Sequence, residues 1–178
     1  MTRFTLPLVA IMLLAVPAQA HGPSRQKVTE TIAVNAPAAQ VWALIQGFCS
    51  IEIWHPGVFK CEGSGGEEVG ATRVLTVGAA DGPQIHEALL KYDGEKMSYK
   101  YKISKTDNKV LPVTTYSAFL TVMDAGDNTS VVEWRGGFYR GYPNNNPPTE
   151  LNDEAAHSAV TATYRGGLES IKQLAEQK

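Results

Sequence analysis

The chain has 178 residues, of which 43% are hydrophobic, and sets 18 acidic side chains against 16 basic ones for a formal charge of −2 at pH 7. That balance excludes recruitment to nucleic acid by bulk charge. Beyond the first twenty residues no stretch is apolar for long enough to span a membrane, and the absence of repeats, low-complexity tracts and long linkers leaves one domain with room for a proper core.

In chain order, residues 1–20 stand apart from the fold. Arg3 supplies a positive start, residues 6–16 an apolar stretch that is too short and Pro-broken for a span, and Ala18-Gln19-Ala20 a small-residue cleavage site. They read as an export signal cut after Ala20, leaving residues 21–178 as a single domain. Losing Arg3 makes the net charge −3. Both cysteines, Cys49 and Cys61, lie in the exported part, and an even count in an oxidising compartment predicts one disulfide between them.

Residues 27–34 alternate, with Val28, Ile32 and Val34 on one face, and predict a first strand. Asn35-Ala36-Pro37 then opens a helix, with Asn35 or Ala36 expected at the cap and Pro37 in the first turn. Val41, Leu44, Ile45 and Phe48 form its buried stripe. Residues 49–58, stopped by Pro56-Gly57, hold at most a couple of helical turns. From Phe59 the period becomes two, and strands are predicted at 59–62, 72–77, 84–92, 97–104, 114–123 and 130–139. Each gap carries turn residues such as Asp81-Gly82-Pro83 or Asp93-Gly94, so consecutive strands should form an antiparallel meander.

The chain closes on its longest helical pattern, residues 150–178. Ala156, Val160, Tyr164, Leu168, Ile171 and Ala175 form one apolar stripe. Asn152 or Thr149 can cap its start, Glu150, Asp153 and Glu154 suit the positive end of its dipole, and Lys172 and Lys178 the negative end. Gly166 and Gly167 inside the stripe imply a kink or a close backbone approach. A strand, two short helices, six strands and a long one-faced helix make an α+β protein with the sheet wrapped against that helix.

One helix cannot cover a broad curved sheet, so part of the inner face should enclose a space. By alternation Met97, Tyr99, Tyr101 and Ile103 point inward, as do Tyr116, Ala118, Leu120 and Val122, and then Val132, Trp134 and Phe138. These aromatics either line a pocket for a small, partly apolar ligand or simply fill the core. Parity in 84–92 is ambiguous, since Ile85/Leu89 and Ala88/Leu90/Tyr92 both look inward. Lys100 and Lys102 must project from the outer face, where they join Lys91, Lys96, Lys105 and Lys109 in a basic stretch of a net acidic chain. That stretch is either a solvated strand face or a docking surface for an acidic partner.

Few residues suggest catalysis. His21, His55, His86 and His157 form no close pair, and His86-Glu87 lacks the second His of a zinc helix. As a mature N-terminus, His21 would offer an amine and an imidazole to a copper ion. There is no Gly-x-Ser-x-Gly motif, and Gly63-Ser64-Gly65-Gly66 is a turn rather than a phosphate loop. Glu30, Glu87 and His86 sit among apolar neighbours and could be buried acids or bases, but no pair takes a catalytic role and no cofactor is implied. His55, extended by Pro56, either stands at a pocket mouth or bonds to backbone behind an anchoring Trp54. Glu133 and Arg135 should pair on the outer face.

Ala36-Pro37 followed by Val41-Trp42, then Trp54-His55-Pro56, Gly70-Ala71-Thr72-Arg73 and Val132-Glu133-Trp134, resemble the START/Bet v 1-like superfamily (SRPBCC, polyketide cyclase/lipid transport). The resemblance covers nearly all of 21–178. It implies a helix-grip fold: a curved seven-stranded antiparallel sheet around the C-terminal helix, with two short helices after the first strand. The export signal, the His21-Gly22-Pro23 start and the run from Trp134 through Tyr142-Pro143-Asn144-Asn145 are similar to exported proteins of the MxaD type, accessory to periplasmic methanol oxidation. That similarity implies a periplasmic, non-catalytic protein whose partners are methanol dehydrogenase and its cytochrome c acceptor. A carrier of a small hydrophobic ligand and a cyclase-like enzyme are the alternatives. The residues expected at the ligand site are His55, Glu87, Tyr99, Tyr101, Tyr116 and Trp134. Lys100 and Lys102 are expected at the docking face, with the Tyr142 loop as its rival.

Overall fold

The computed structural model describes residues 22–177; the expected export signal, His21 and Lys178 lie outside the described residues. The elements are β1 (Gln26–Val34), α1 (Ala38–Ile45), α2 (Ile51–Trp54), β2 (Val58–Ser64), β3 (Thr72–Val77), β4 (Gln84–Asp93), β5 (Ser98–Lys105), β6 (Val113–Gly126), β7 (Thr129–Arg140) and α3 (Asp153–Glu176), the last preceded by a 3₁₀ turn at Thr149–Leu151. The strands form one antiparallel sheet in the order β1-β7-β6-β5-β4-β3-β2. The meander of six strands returns to pair its last member with β1, and α3 lies across β1 and β7 and against both short helices. This is the expected helix-grip architecture.

Local chemistry accounts for the boundaries. Pro37, extended at φ −57° and ψ 142°, is the cap of α1, and its carbonyl accepts from Gln40 and Val41. The expectation of Asn35 or Ala36 at the cap is therefore corrected by one or two residues, because a proline cannot donate and its carbonyl can start the helix. The Asn35 amide instead donates to Glu176 at the far end of α3 (2.7 Å). Asn152 caps α3, its side chain accepting from the Ala155 amide (2.8 Å), with Asp153 and Glu154 in the first turn. No basic residue stands in the last turn of that helix. Lys172, one turn earlier, donates to the Ala33 carbonyl (2.7 Å) and pairs with Glu176, fastening α3 to β1.

Two ambiguities resolve physically. β4 buries Ile85, Glu87 and Leu89, then shifts register between Leu89 and Lys91. The bulge reverses parity, so that Tyr92 faces inward against Trp42 (5.8 Å between ring centres). Ile85 and Leu89 face inward before the bulge and Tyr92 after it, whereas Ala88 keeps the outward parity beside Lys102 and Leu90 is exposed, so the second inward set is corrected to Tyr92 alone. The glycine pair leaves α3 unbroken. A Cβ on Gly167 would stand 2.7 Å from Trp134, 2.8 Å from His55 and 3.2 Å from Trp54, so this glycine permits close approach rather than a kink. Cys49 and Cys61 are bonded, joining the turn between α1 and α2 to edge strand β2.

Candidate functional site

α3 does not reach the β3–β5 part of the inner face, and a cavity of about 160 Å³ remains there. Its apolar walls come from Leu75, Ile85 and Ile103 on the sheet, Val110 and Leu111 in the β5–β6 loop, and Ile51 of α2. Polar groups reach it from His55, Glu87, Tyr101, Tyr116 and Trp134. Five of the six residues expected at a ligand site thus border one space. Tyr99, the sixth, lies deeper, against Trp42 and Phe48.

Behind the cavity runs a chain of buried hydrogen bonds. The Trp134 indole donates to the Tyr101 hydroxyl (3.0 Å), Tyr101 and Tyr116 share a hydrogen bond (3.2 Å), and Tyr116 and Tyr164 share another (2.6 Å). The Tyr164 ring stacks on Trp134 at 4.5 Å. Gly136, inward-facing on β7, leaves the room that the Tyr164 hydroxyl occupies, and a Cβ there would strike it. Burial pushes the Tyr99 phenol up to about 12 and raises those of Tyr101, Tyr116 and Tyr164 well above the ordinary 10, so all four are neutral donors and acceptors.

The deepest charge pair is Arg73–Glu87, registered across β3 and β4, with Nε 2.6 Å from Oε2. Arg73 is 1% exposed and Glu87 5%. Arg73 Nη1 donates to the Phe48 carbonyl, and the guanidinium lies over the Phe48 ring at 4.1 Å. Burial raises the Glu87 carboxyl above its ordinary value, and the adjacent guanidinium opposes that rise. The pair stays ionised at neutral pH, since protonating Glu87 would strand a cation in the core. Sequence reasoning named Glu87 and missed Arg73 as its partner. The signal was parity, because Arg73 shares a face with the inward Leu75.

His55 has both of the placements weighed as alternatives from the sequence. It borders the cavity, edge-on to Trp134, while Nδ1 accepts from the Gly57 amide (3.0 Å) and Nε2 donates to the Thr163 carbonyl (3.1 Å). Burial lowers its pKa from the ordinary 6.5. The other suspected acids and bases are elsewhere. Glu30, on edge strand β1, is bidentate to Arg165 of α3 (3.1 and 3.2 Å), and His86 has the parity opposite to buried Glu87. They do not join the cavity because the edge strand and the outer face offer them other surroundings. Among the described residues, no three His, Cys, Asp or Glu side chains converge to hold a metal.

The outer face carries the other expected feature. Sheet register puts Lys91, Lys100, Phe119, Arg135 and Thr29 in one row across five strands, and Lys102, Ser117, Gly137 and Lys27 in the next. Phe119 lies between Lys100 (5.1 Å) and Arg135 (4.3 Å), and Arg25, Lys27, Lys100 and Arg135 surround one shallow groove. Among the described residues Arg25, Lys27, Lys91, Lys100 and Lys102 make no salt bridge, whereas Arg135 pairs with Glu133 (2.9 Å) and Lys96 with Asp93 (3.3 Å). The basic patch thus spreads sideways over β1 and β7, where sequence alone placed it along β5 with Lys105 and Lys109. Tyr142 is half-buried, and its loop is held by Arg140, which donates to the Tyr142 and Asn144 carbonyls (2.8 and 2.9 Å) and pairs with Asp153.

A family model described as polyketide cyclase / dehydrase and lipid transport matches residues 25–176. No curated protein matches the chain. Among solved structures, the protein XoxI from Bacillus cereus is similar at 30% identity and a TM-score of 0.70, covering 85% of this chain and 96% of that one. A putative uncharacterized protein from Bacillus thuringiensis is similar at 29% identity and a TM-score of 0.70, covering 84% and 98%. The ZhuI aromatase/cyclase of Streptomyces sp. R1128, at 18% identity and a TM-score of 0.68 over 86% and 95% of the two chains, is similar in fold alone.

Proposed function

The chain belongs to the polyketide cyclase / dehydrase and lipid transport family, and on that premise we propose that it is an exported, non-catalytic accessory protein of the MxaD type. It acts in the periplasm, supporting methanol oxidation by docking on methanol dehydrogenase and its cytochrome c acceptor. The observation that carries this reading is the group of lysines on the outer face, Lys27, Lys91, Lys100 and Lys102, which make no salt bridge among the described residues of a chain whose net charge is −2. Such a patch on an acidic protein steers an acidic partner through the rate of encounter and is screened by salt. The engaged state of the cavity's acid and base supports a non-catalytic role. One Glu87 oxygen is held by Arg73, and both His55 nitrogens are used on backbone. Export through cleavage after Ala20 belongs to the same proposal, and the Cys49–Cys61 bond suits an oxidising compartment.

The test is association kinetics with methanol dehydrogenase and the cytochrome across a salt series. Lys100→Glu with Lys102→Glu should leave the fold intact, slow association about tenfold at low salt, and flatten the salt dependence. Unchanged kinetics in the double variant, with binding abolished by Tyr142→Ala, would move the docking site to the Tyr142 loop. A second reading, carriage of a small apolar ligand, is favoured by the cavity itself and stands apart from the docking face.

A further inference from the structure

The cavity has a polar end whose hydrogen-bonding capacity the protein does not use up. Glu87 accepts from Arg73 through Oε2 alone, while Oε1, in a side chain that borders the cavity, takes no hydrogen bond among the described residues. A carboxylate oxygen in such surroundings is a strong acceptor awaiting a donor. The tyrosine chain supplies the complement. Tyr101, Tyr116 and Tyr164 bring three hydroxyl protons to two hydroxyl–hydroxyl bonds, and the Trp134 indole adds a further donor at the Tyr101 oxygen. One phenolic proton therefore has no acceptor in the chain. If Tyr164 donates to Tyr116 and Tyr116 to Tyr101, the free proton is that of Tyr101, which lines the same cavity as Glu87 and feels its charge.

We infer that the cavity binds a small neutral ligand carrying a hydroxyl on an apolar body. The hydroxyl donates to Glu87 Oε1 and accepts from the Tyr101 hydroxyl. Only a group that is both donor and acceptor satisfies both atoms. A carboxylate would set acceptors against Glu87, an ammonium ion offers nothing to Tyr101 and must shed all its water, and a hydrocarbon leaves both groups unpaired. The size follows from the volume. A cavity of about 160 Å³ matches the roughly 150 Å³ apolar cavities that take up benzene. A single six-membered ring with one hydroxyl, or an alcohol of similar bulk, fills it, with the ring against Leu75, Ile85 and Leu111. This inference rests on the cavity being a binding site and is independent of the docking face.

The test uses the oxidised, exported chain and three monosubstituted benzenes: phenol, toluene as its apolar isostere, and benzoate as the anionic probe. Binding is followed at the Trp134 indole N–H resonance, which reports on Tyr101 directly. Phenol should bind and shift that resonance, with toluene and benzoate at least about tenfold weaker. Tyr101→Phe should lower phenol affinity severalfold and leave toluene unchanged. Glu87→Gln should do the same; if its unpaired Arg73 prevents folding, Tyr101→Phe decides alone. Toluene binding as tightly as phenol would overturn the inference while leaving a carrier of apolar ligands standing. No shift with any probe in the folded protein would overturn the cavity as a binding site, and the docking proposal would be untouched.

Discussion

His55 is held between a backbone donor and a backbone acceptor. Gly57 gives its amide proton to Nδ1, and Nε2 must carry the proton it gives to Thr163. Burial disfavours the charged ring and lowers the pKa, with the nearby Arg73 charge acting in the same direction. Below about pH 6.5 the unfolded chain takes up a proton at this position that the folded one refuses. The stability His55 contributes is therefore complete above that pH and is lost as pH falls through the folded-state value. Urea midpoints measured from neutral to mildly acidic pH should fall, and His55→Gln should be weaker at neutral pH with a shallower decline. An equally steep decline in the variant would place the titration elsewhere. At this scale the sequence was legible only in part. Inward Tyr101, Tyr116 and Trp134 followed from strand alternation, but the Arg73–Glu87 pair depends on which residues of β3 and β4 come into register, and alternation within one strand carries no register.

At the scale of elements, strand periods, turn residues and the closing helical stripe were enough to place every strand to within three residues at either end. What could not be read was how elements touch. Gly166 and Gly167 look alike in sequence and differ completely in surroundings. A Cβ on Gly166 has only Pro56 at 4.0 Å, whereas one on Gly167 meets Trp134, His55 and Trp54. Gly166→Ala should therefore stabilise the protein by about 0.5–1 kcal/mol through helix propensity and a less flexible unfolded chain. Gly167→Ala should destabilise it by about 1–3 kcal/mol, overpacking the three rings against α3. Thermal or urea unfolding of the two variants reads the sign directly, and the same sign for both would mean that α3 does not press on the Trp54–Trp134 cluster. The β4 bulge is a comparable case. It hides in a strand whose two parities are both apolar, and it appears only when β5 imposes its own register.

For the whole molecule, the closing pairing of β1 with β7 decides the function we propose, because it carries Arg25 and Lys27 to the Lys100–Arg135 row and converts a strand of lysines into a broad basic face. The inner face, whose cavity we infer to select a neutral hydroxyl-bearing ligand, and the outer face, whose lysines we propose as the docking site, lie on opposite sides of one sheet. The central claim is that the outer face supports electron transfer from methanol dehydrogenase to its cytochrome. The most direct measurement is the rate of methanol-dependent cytochrome reduction in a reconstituted system, with and without this protein. The rate should rise on adding the wild-type chain, rise less as salt increases, and show no gain with the Lys100→Glu, Lys102→Glu variant. A rate that stays unchanged at saturating wild-type protein and low salt would contradict the account.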